Sequence, residues 1–450
     1  MAIVNVQEFI DRRKLSRFQL RVFALCALIV LVDGFDTQAI GYVAPAIVRS
    51  WHIDRAALTP VFSAGLFGLM LGALAFGPIA DRFGRRPVLL FCTLFFGVMS
   101  LFTVTADSVK SLMVLRFITG LGLGGAMPNS IALTTEYTPK RIRATAVMIM
   151  FCGFSLGAAL GGVAAASLIS YLGWKSVFVL GGVMPCLIFP LLVALVPESI
   201  RYLVVQGGRG EKVAGTLASI DPTAAVSADA SFTVEEHKAK GFVVGQLFAQ
   251  GRAAFTLLIW VVFFMSLLDL FFITNWLPTI IHDSGVPVGR AALITAMYQV
   301  GGTVGTLLLG RLFDRYSPFF MLALTYLTAS VFVLLIGTTG TSIGALVLTV
   351  FGAGFCVVGG QIGANALTAN SYPTAIRSTG VGWALGIGRI GSIIGPAIGG
   401  LLLSLRWPTR QIFLVAAVPV LIASFAALCI SFLRRAPEGA HALQTGASIP

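Results

Sequence analysis

Apolar residues run along this chain in long unbroken stretches, not in the short alternating segments of a membrane-spanning barrel. A helix needs about 20 apolar residues to cross a bilayer. Twelve runs of that kind stand near 21–45, 59–80, 88–106, 111–133, 144–170, 174–196, 253–277, 291–311, 318–337, 342–366, 378–404 and 410–433. One long polar stretch, 197–252, separates the sixth from the seventh. The pattern predicts an all-α polytopic membrane protein with twelve transmembrane helices in two six-helix bundles. A first bundle with its N-terminal tail takes 1–196, a central loop 197–252, and a second bundle with its C-terminal tail 253–450.

Composition narrows the class. With 57% hydrophobic and only 11% charged residues, the chain falls well below the roughly 25% charge of soluble domains. The formal net charge of +13 points to a lipid surface and not to nucleic acid, because the basic residues form no stripe and fall in short loops. Placing the N-terminus inside puts 22 of the 31 Lys and Arg on the cytoplasmic side and seven outside, with Arg116 and Arg389 within spans. Both termini are therefore expected in the cytoplasm. The six cysteines each sit in an apolar run and the four histidines in loops or tails, so no metal site or cofactor is expected. No nucleophile–base constellation points to an enzyme. The polar stretch "EFIDRRKLSRFQLR" and the long apolar run after it do not read as a cleaved signal.

Two loops repeat. "GPIADRFGRR" after the second span is echoed by "GRLFDRYSP" after the eighth, so Gly77, Asp81 and Arg82 correspond to Gly310, Asp314 and Arg315, 233 positions on. "EYTPKRIRAT" after the fourth is echoed by "NSYPTAIRST" after the tenth, with Pro139 and Arg143 matching Pro373 and Arg377, 234 positions on. A near-constant offset in the same order indicates parallel duplicated bundles, with a substrate site expected between them at mid-membrane.

These motifs carry a resemblance. "GPIADRFGRR" resembles the signature loop of the major facilitator superfamily, as "LRFITGLGLGGAMPN" and "PESIRYL" resemble its fourth-span and post-sixth-span motifs. "DGFDTQAIGYVAPAI" in the first span is similar to the aromatic acid:proton symporter branch, relatives of 4-hydroxybenzoate and protocatechuate carriers. The likeness runs from Asp33 to about Arg389. It implies proton-driven uptake of a small aromatic carboxylate by a monomer in the bacterial inner membrane, with protons, the substrate and lipid as partners. Another organic acid such as muconate is the alternative. A drug exporter is a further one, disfavoured by Ala158 in "GFSLGAALGG", where the exporter motif has proline.

Particular residues carry the chemistry. Asp33 and Asp36 lie three apart on one face of the first span. Buried carboxylates are costly and two on one face repel, which suits proton coupling; a carboxylate locked to a partner such as Arg389 is the competing reading. Arg116 in the fourth span is a counter-charge to these aspartates or to a substrate carboxylate, or else snorkels to the interface. Arg389 in the eleventh span is the candidate anchor for the substrate carboxylate. Gln361 and Asn365 share a helix face and, with Tyr298, Gln299 and Trp383, can line a pocket, though ordinary packing also explains the aromatics. Asp269 faces the cavity or caps a broken helix. Gating is expected from Gly77, Asp81, Arg82, Gly84, Arg85 and Arg86 with Glu136 and Arg143, and in the second half from Asp314, Arg315 and Arg377. Asn370 stands where Glu136 repeats, so the two gates are expected to differ. Phe319 and Phe320 follow Pro318 where the family often carries a basic residue or histidine.

Overall fold

The computed structural model describes residues 3–207, 210–224, 230–234, 243–340, 342–372 and 376–444. Twelve of its helices are long and apolar enough to cross a membrane. Six lie in the first half: α2 (Arg17–Trp51), α3 (Thr59–Phe83), α4 (Arg85–Thr103), α5 (Val109–Tyr137), α6 (Arg143–Leu172) and α7 (Lys175–Leu195). Six lie in the second: α11 (Ala253–Asp283), α12 (Val288–Arg315), α13 (Pro318–Ile336), α14 (Ile343–Ser371), α15 (Arg377–Ser404) and α16 (Thr409–Gln444). The chain divides into two compact units, Met1–His237 and Lys238–Pro450.

Several helices outrun their apolar runs because polar caps, not the end of hydrophobicity, stop them. α2 begins at a capping box in which Ser16 N–H donates to Gln19 Oε1 at 2.8 Å and Gln19 N–H to Ser16 Oγ at 3.3 Å. It ends at His52, which turns left-handed at φ 52°. At 1.5 Å per residue its 35 residues reach about 52 Å, longer than the roughly 30 Å hydrocarbon core.

Close helix pairs build each unit, and the same pairs recur in both. α2 packs on α6, α3 on α5 and α4 on α7; α11 packs on α15, α12 on α14 and α13 on α16. Small residues let backbones touch where lipid supplies no hydrophobic drive between helices. A Cβ at Gly120 or Gly124 would run into α3 backbone, and one at Gly122 or Gly125 into Phe95, Phe96 or Cys92 on α4. The glycine run in α5 thus serves two neighbours. Gly34, between the two first-span aspartates, abuts the Phe154 carbonyl of α6.

The stretch after α7 carries structure that its polarity did not announce. It holds α8 (Ile200–Gln206), α9 (Gly210–Ile220), β2 (Ser231–Thr233) and α10 (Val243–Gln246). β1 (Ile3–Asn5) pairs in parallel with β2, Ile3 opposite Ser231. α1 (Val6–Asp11) and α9 contribute Val6, Phe9 and Ile10, and Val213, Leu217 and Ile220, to one buried apolar cluster. Arg13 Nε meets Asp221 Oδ2 at 2.6 Å. The Thr223 hydroxyl first and Arg13 second hold the half-buried Asp221 carboxyl down to about 2.

Candidate functional site

In the first unit, Arg116 comes from α5 onto α2. Its Nη1 lies 3.0 Å from Asp36 Oδ2, with the side chains 3% and 0% exposed. Nη2 donates to the Asp36 carbonyl at 3.1 Å. Ser100 Oγ, from α4, donates to Asp36 Oδ1 at 2.5 Å, and the Arg116 guanidinium stands 5.4 Å from the Phe178 ring centroid. Arg116 therefore does not snorkel to an interface; it is buried in an ion pair. Asp33, one turn earlier and 1% exposed, accepts the Thr37 hydroxyl at 3.0 Å. The two aspartates share a face yet have different surroundings.

In the second unit a polar string crosses the helix core. Ser266 Oγ on α11 donates to Gln361 Oε1 on α14, and Gln361 Nε2 donates to Asn365 Oδ1 at 3.4 Å. The Tyr326 hydroxyl lies beside Ser266, and Tyr298 and Tyr326 both sit close enough to Asp269 to feel its charge. Asp269 is fully buried with neither oxygen hydrogen-bonded. α11 continues unbroken through it, so Asp269 does not cap a broken helix. Gln299 is buried with its Nε2 unpartnered. Arg389 is half-buried on α15. Trp383, 42% exposed, stacks on Trp260 at 5.7 Å between centroids.

At the loop between α3 and α4, charges gather as the motif implied. Gly84 takes φ 103° and ψ 152°, a region open essentially to glycine alone, and a Cβ there would strike the Glu198 carboxylate. That carboxylate accepts the otherwise unpaired helix-end amides of Arg85 at 2.8 Å and Arg86 at 3.1 Å, and of Ser199 at 2.8 Å. Arg85 Nε pairs with Glu136 Oε1 at 3.0 Å and its Nη2 with Asp81 Oδ1 at 3.6 Å. Ser199 Oγ donates to Glu136 Oε2 at 2.6 Å. Arg143 reaches the Thr138 carbonyl at 3.5 Å. Arg82 and Arg315 point outward over the adjacent Phe83 and Tyr316 rings, and Gly77 has no neighbour that a Cβ would meet. The side chains of Asp314 and Arg377 lie outside the described residues.

The structure thus joins Asp36 with Arg116, Asp81 with Arg85 and Glu136, and Gln361 with Asn365; Trp383 stands apart on its tryptophan partner. Sequence reasoning missed Ser100, Ser199, Ser266, Tyr326 and the helix-capping work of Glu198. Ser100, Ser266 and Tyr326 carry no signal in a lone sequence, whereas Glu198 and Ser199 lie in the "PESIRYL" stretch already singled out.

Comparison with known proteins agrees with this architecture. The sequence profile described as Major Facilitator Superfamily matches residues 26–358 and 259–448. The chain is 44% identical to the 4-hydroxybenzoate transporter PcaK of Pseudomonas putida, covering 94% of each protein. It is 41% identical to the gallate transporter of Pseudomonas putida, covering 95% of each. Among solved structures, a bacterial homolog of the human lysosomal transporter Spinster, in an inward-facing and occupied conformation, matches with a TM-score of 0.71 at 17% identity, over 92% of this chain and 97% of that one. At that identity the likeness speaks for the fold.

Proposed function

Because the chain belongs to the Major Facilitator Superfamily, we propose that it takes up a small aromatic carboxylate of the 4-hydroxybenzoate or protocatechuate kind, together with protons, by alternating access. It is a multi-pass membrane transporter and not an enzyme. The substrate class rests on one observation: identity of 44% and 41%, spread over 94% and 95% of the chain, to relatives named for 4-hydroxybenzoate and gallate.

Residue roles follow from position and charge. Arg116 is buried against Asp36, and Arg389, half-buried on α15 of the second unit, is the anchor for the substrate carboxylate, an anion that needs a charged donor to offset its desolvation. Gln361, Asn365, Tyr298 and Gln299, on the same unit, supply hydrogen bonds to ring hydroxyls. Asp33, a buried carboxyl one turn before the Arg116–Asp36 pair, carries the proton. The Asp81–Arg85–Glu136 ion pairs latch one state of the first unit and open in the other. Both termini face the cytoplasm, and a monomer in the bacterial inner membrane suffices.

Counterflow of labelled 4-hydroxybenzoate in proteoliposomes, challenged with unlabelled benzoates, muconate and cationic drugs, tests the proposal. Saturable exchange inhibited by hydroxybenzoates is expected, with concentrative uptake on an inward proton gradient lost in Asp33→Asn while counterflow persists. Exchange inhibited by the drugs and indifferent to every benzoate overturns it.

A further inference from the structure

The duplication extends into the spans. In α2–α6, a Cβ on Gly157 or Gly161 would meet the carbonyl of Leu31 or Phe35; in α11–α15, Gly391 and Gly395 would meet those of Phe264 and Leu268 in the same way. Leu31 and Phe35 map onto Phe264 and Leu268 by the 233-residue step of the loop motifs. That step carries Asp33 to Ser266 and Asp36 to Asp269. On the partner helices, Gly120 abuts the Gly65 carbonyl and Gly354 that of Tyr298, a 234-residue step that carries Arg116 to Val350. The second unit keeps the carboxyl of the first and lacks its arginine.

We propose that Asp269 is a second proton-carrying carboxyl, set in the second unit by the duplication and without the counter-charge that its first-unit counterpart has. Asp269 is fully enclosed, and among the described residues no cation pairs with it and no donor reaches either oxygen. Tyr298 of α12 and Tyr326 of α13 lie close enough to sense its charge, Ser266 on its own helix lies beside Tyr326, and Cys356 of α14 lies near Tyr298. α15 and α16 offer the described cations Arg389 and Arg410, and neither pairs with it. An ionised carboxylate in such a place has nothing to offset its desolvation, whereas the neutral acid costs far less to bury. Asp269 therefore parts with its proton only when the transport cycle changes its surroundings. The proton joins one carboxylate oxygen on loading and leaves it on release, and no other bond changes.

This inference rests on the proposed uptake of a monoanion with a first proton on Asp33. Two protons and one monoanion move one net positive charge inward per cycle. About 100 mV, inside negative, acts on that charge with about 2.3 kcal/mol, or roughly 45-fold in steady-state accumulation at about 1.4 kcal/mol per tenfold. The test imposes a potassium diffusion potential on proteoliposomes with pH clamped on both sides, using labelled 4-hydroxybenzoate. Wild type should accumulate it in response to the potential. Asp269→Asn should lose that response yet still accumulate on a pH gradient. Wild-type accumulation that follows a pH gradient but ignores the potential overturns the second proton site and leaves the uptake reading standing. So does an Asp269→Asn variant with undiminished potential response. Absence of pH-driven accumulation in wild type sinks both.

Discussion

Arg116→Ala should be among the most damaging single changes in the first unit. The pair it breaks is almost wholly dry: Arg116 and Asp36 are 3% and 0% exposed at 3.0 Å. Deleting the arginine leaves a buried carboxylate held by the Ser100 hydroxyl alone among the contacts described above. Removing one partner of a buried ion pair costs about 3–5 kcal/mol, mostly the desolvation of the charge left behind. That corresponds to roughly 150- to 4,000-fold in the folding equilibrium. The double variant Arg116→Met with Asp36→Asn removes both charges and should recover most of the loss, because a neutral pair of similar volume is often as stable as the ion pair it replaces. Denaturation in mixed detergent micelles, followed by circular dichroism for wild type, both single variants and the double, gives the coupling directly. A coupling of at least about 2 kcal/mol is expected. Single losses below about 1 kcal/mol that simply add in the double variant would refute a dry pair and with it the assignment of Arg116 to Asp36.

Gly84→Ala should destabilise by about 1–3 kcal/mol, the cost of a side chain in that backbone region, and should slow transport more than it weakens substrate binding, read by turnover against affinity. Asp221, held down to about 2 from an ordinary value of 3.8, lends stability that is present above the ordinary value and lost as pH falls through the lowered one. Hydrogen exchange of residues 6–13 should accordingly quicken between about pH 4 and 2 in wild type, and Asp221→Asn should remove that dependence. Arg389→Ala should weaken 4-hydroxybenzoate binding by about 2–5 kcal/mol, and Arg389→Lys by less, since it keeps the charge but not the planar fork; equilibrium binding that is unchanged in the alanine variant reassigns the anchor.

The spans were legible because a bilayer demands long apolar runs, and all twelve appear as helices. Their ends were not, since caps such as Ser16 and His52 lie beyond the apolar residues. The pairing of β1 with β2 joins segments more than 200 residues apart by three residues each, too short to leave a period in the sequence. Asp33, Asp36 and Arg116 stood out as intramembrane charges, and a pairing of Arg116 with the aspartates was one of the readings, but which aspartate it meets was not legible. Three residues separate the aspartates by about 4.5 Å along one helix face, and which one meets the arginine depends on the depth at which α5 crosses α2. That depth is set by packing, through Gly34 against α6 and Gly120 and Gly124 against α3. Glu198 was invisible as a cap because its partners at Gly84–Arg86 lie over 110 positions upstream.

The duplication copied the scaffold more faithfully than the charges. Helix pairs recur, and glycines at 68, 72, 120, 157 and 161 return at 301, 305, 354, 391 and 395, each against neighbouring helix backbone. Polar positions inside the helices diverge: Asp33 becomes Ser266, Arg116 becomes Val350 and Glu136 becomes Asn370, while Asp36 persists as Asp269 and the loop charges Asp81, Arg82 and Arg143 recur as Asp314, Arg315 and Arg377. Backbone contacts this close leave little room for an added Cβ, which accounts for the glycines that recur, although Leu267 and Val358 stand at the positions matching Gly34 and Gly124. An intramembrane charge has no such structural excuse, because an apolar residue of similar size is usually no less stable in its place. On the proposal above, a carboxyl present in both halves, with an arginine beside it in only one, serves for what it does with a proton, and the two halves differ in when that proton can leave.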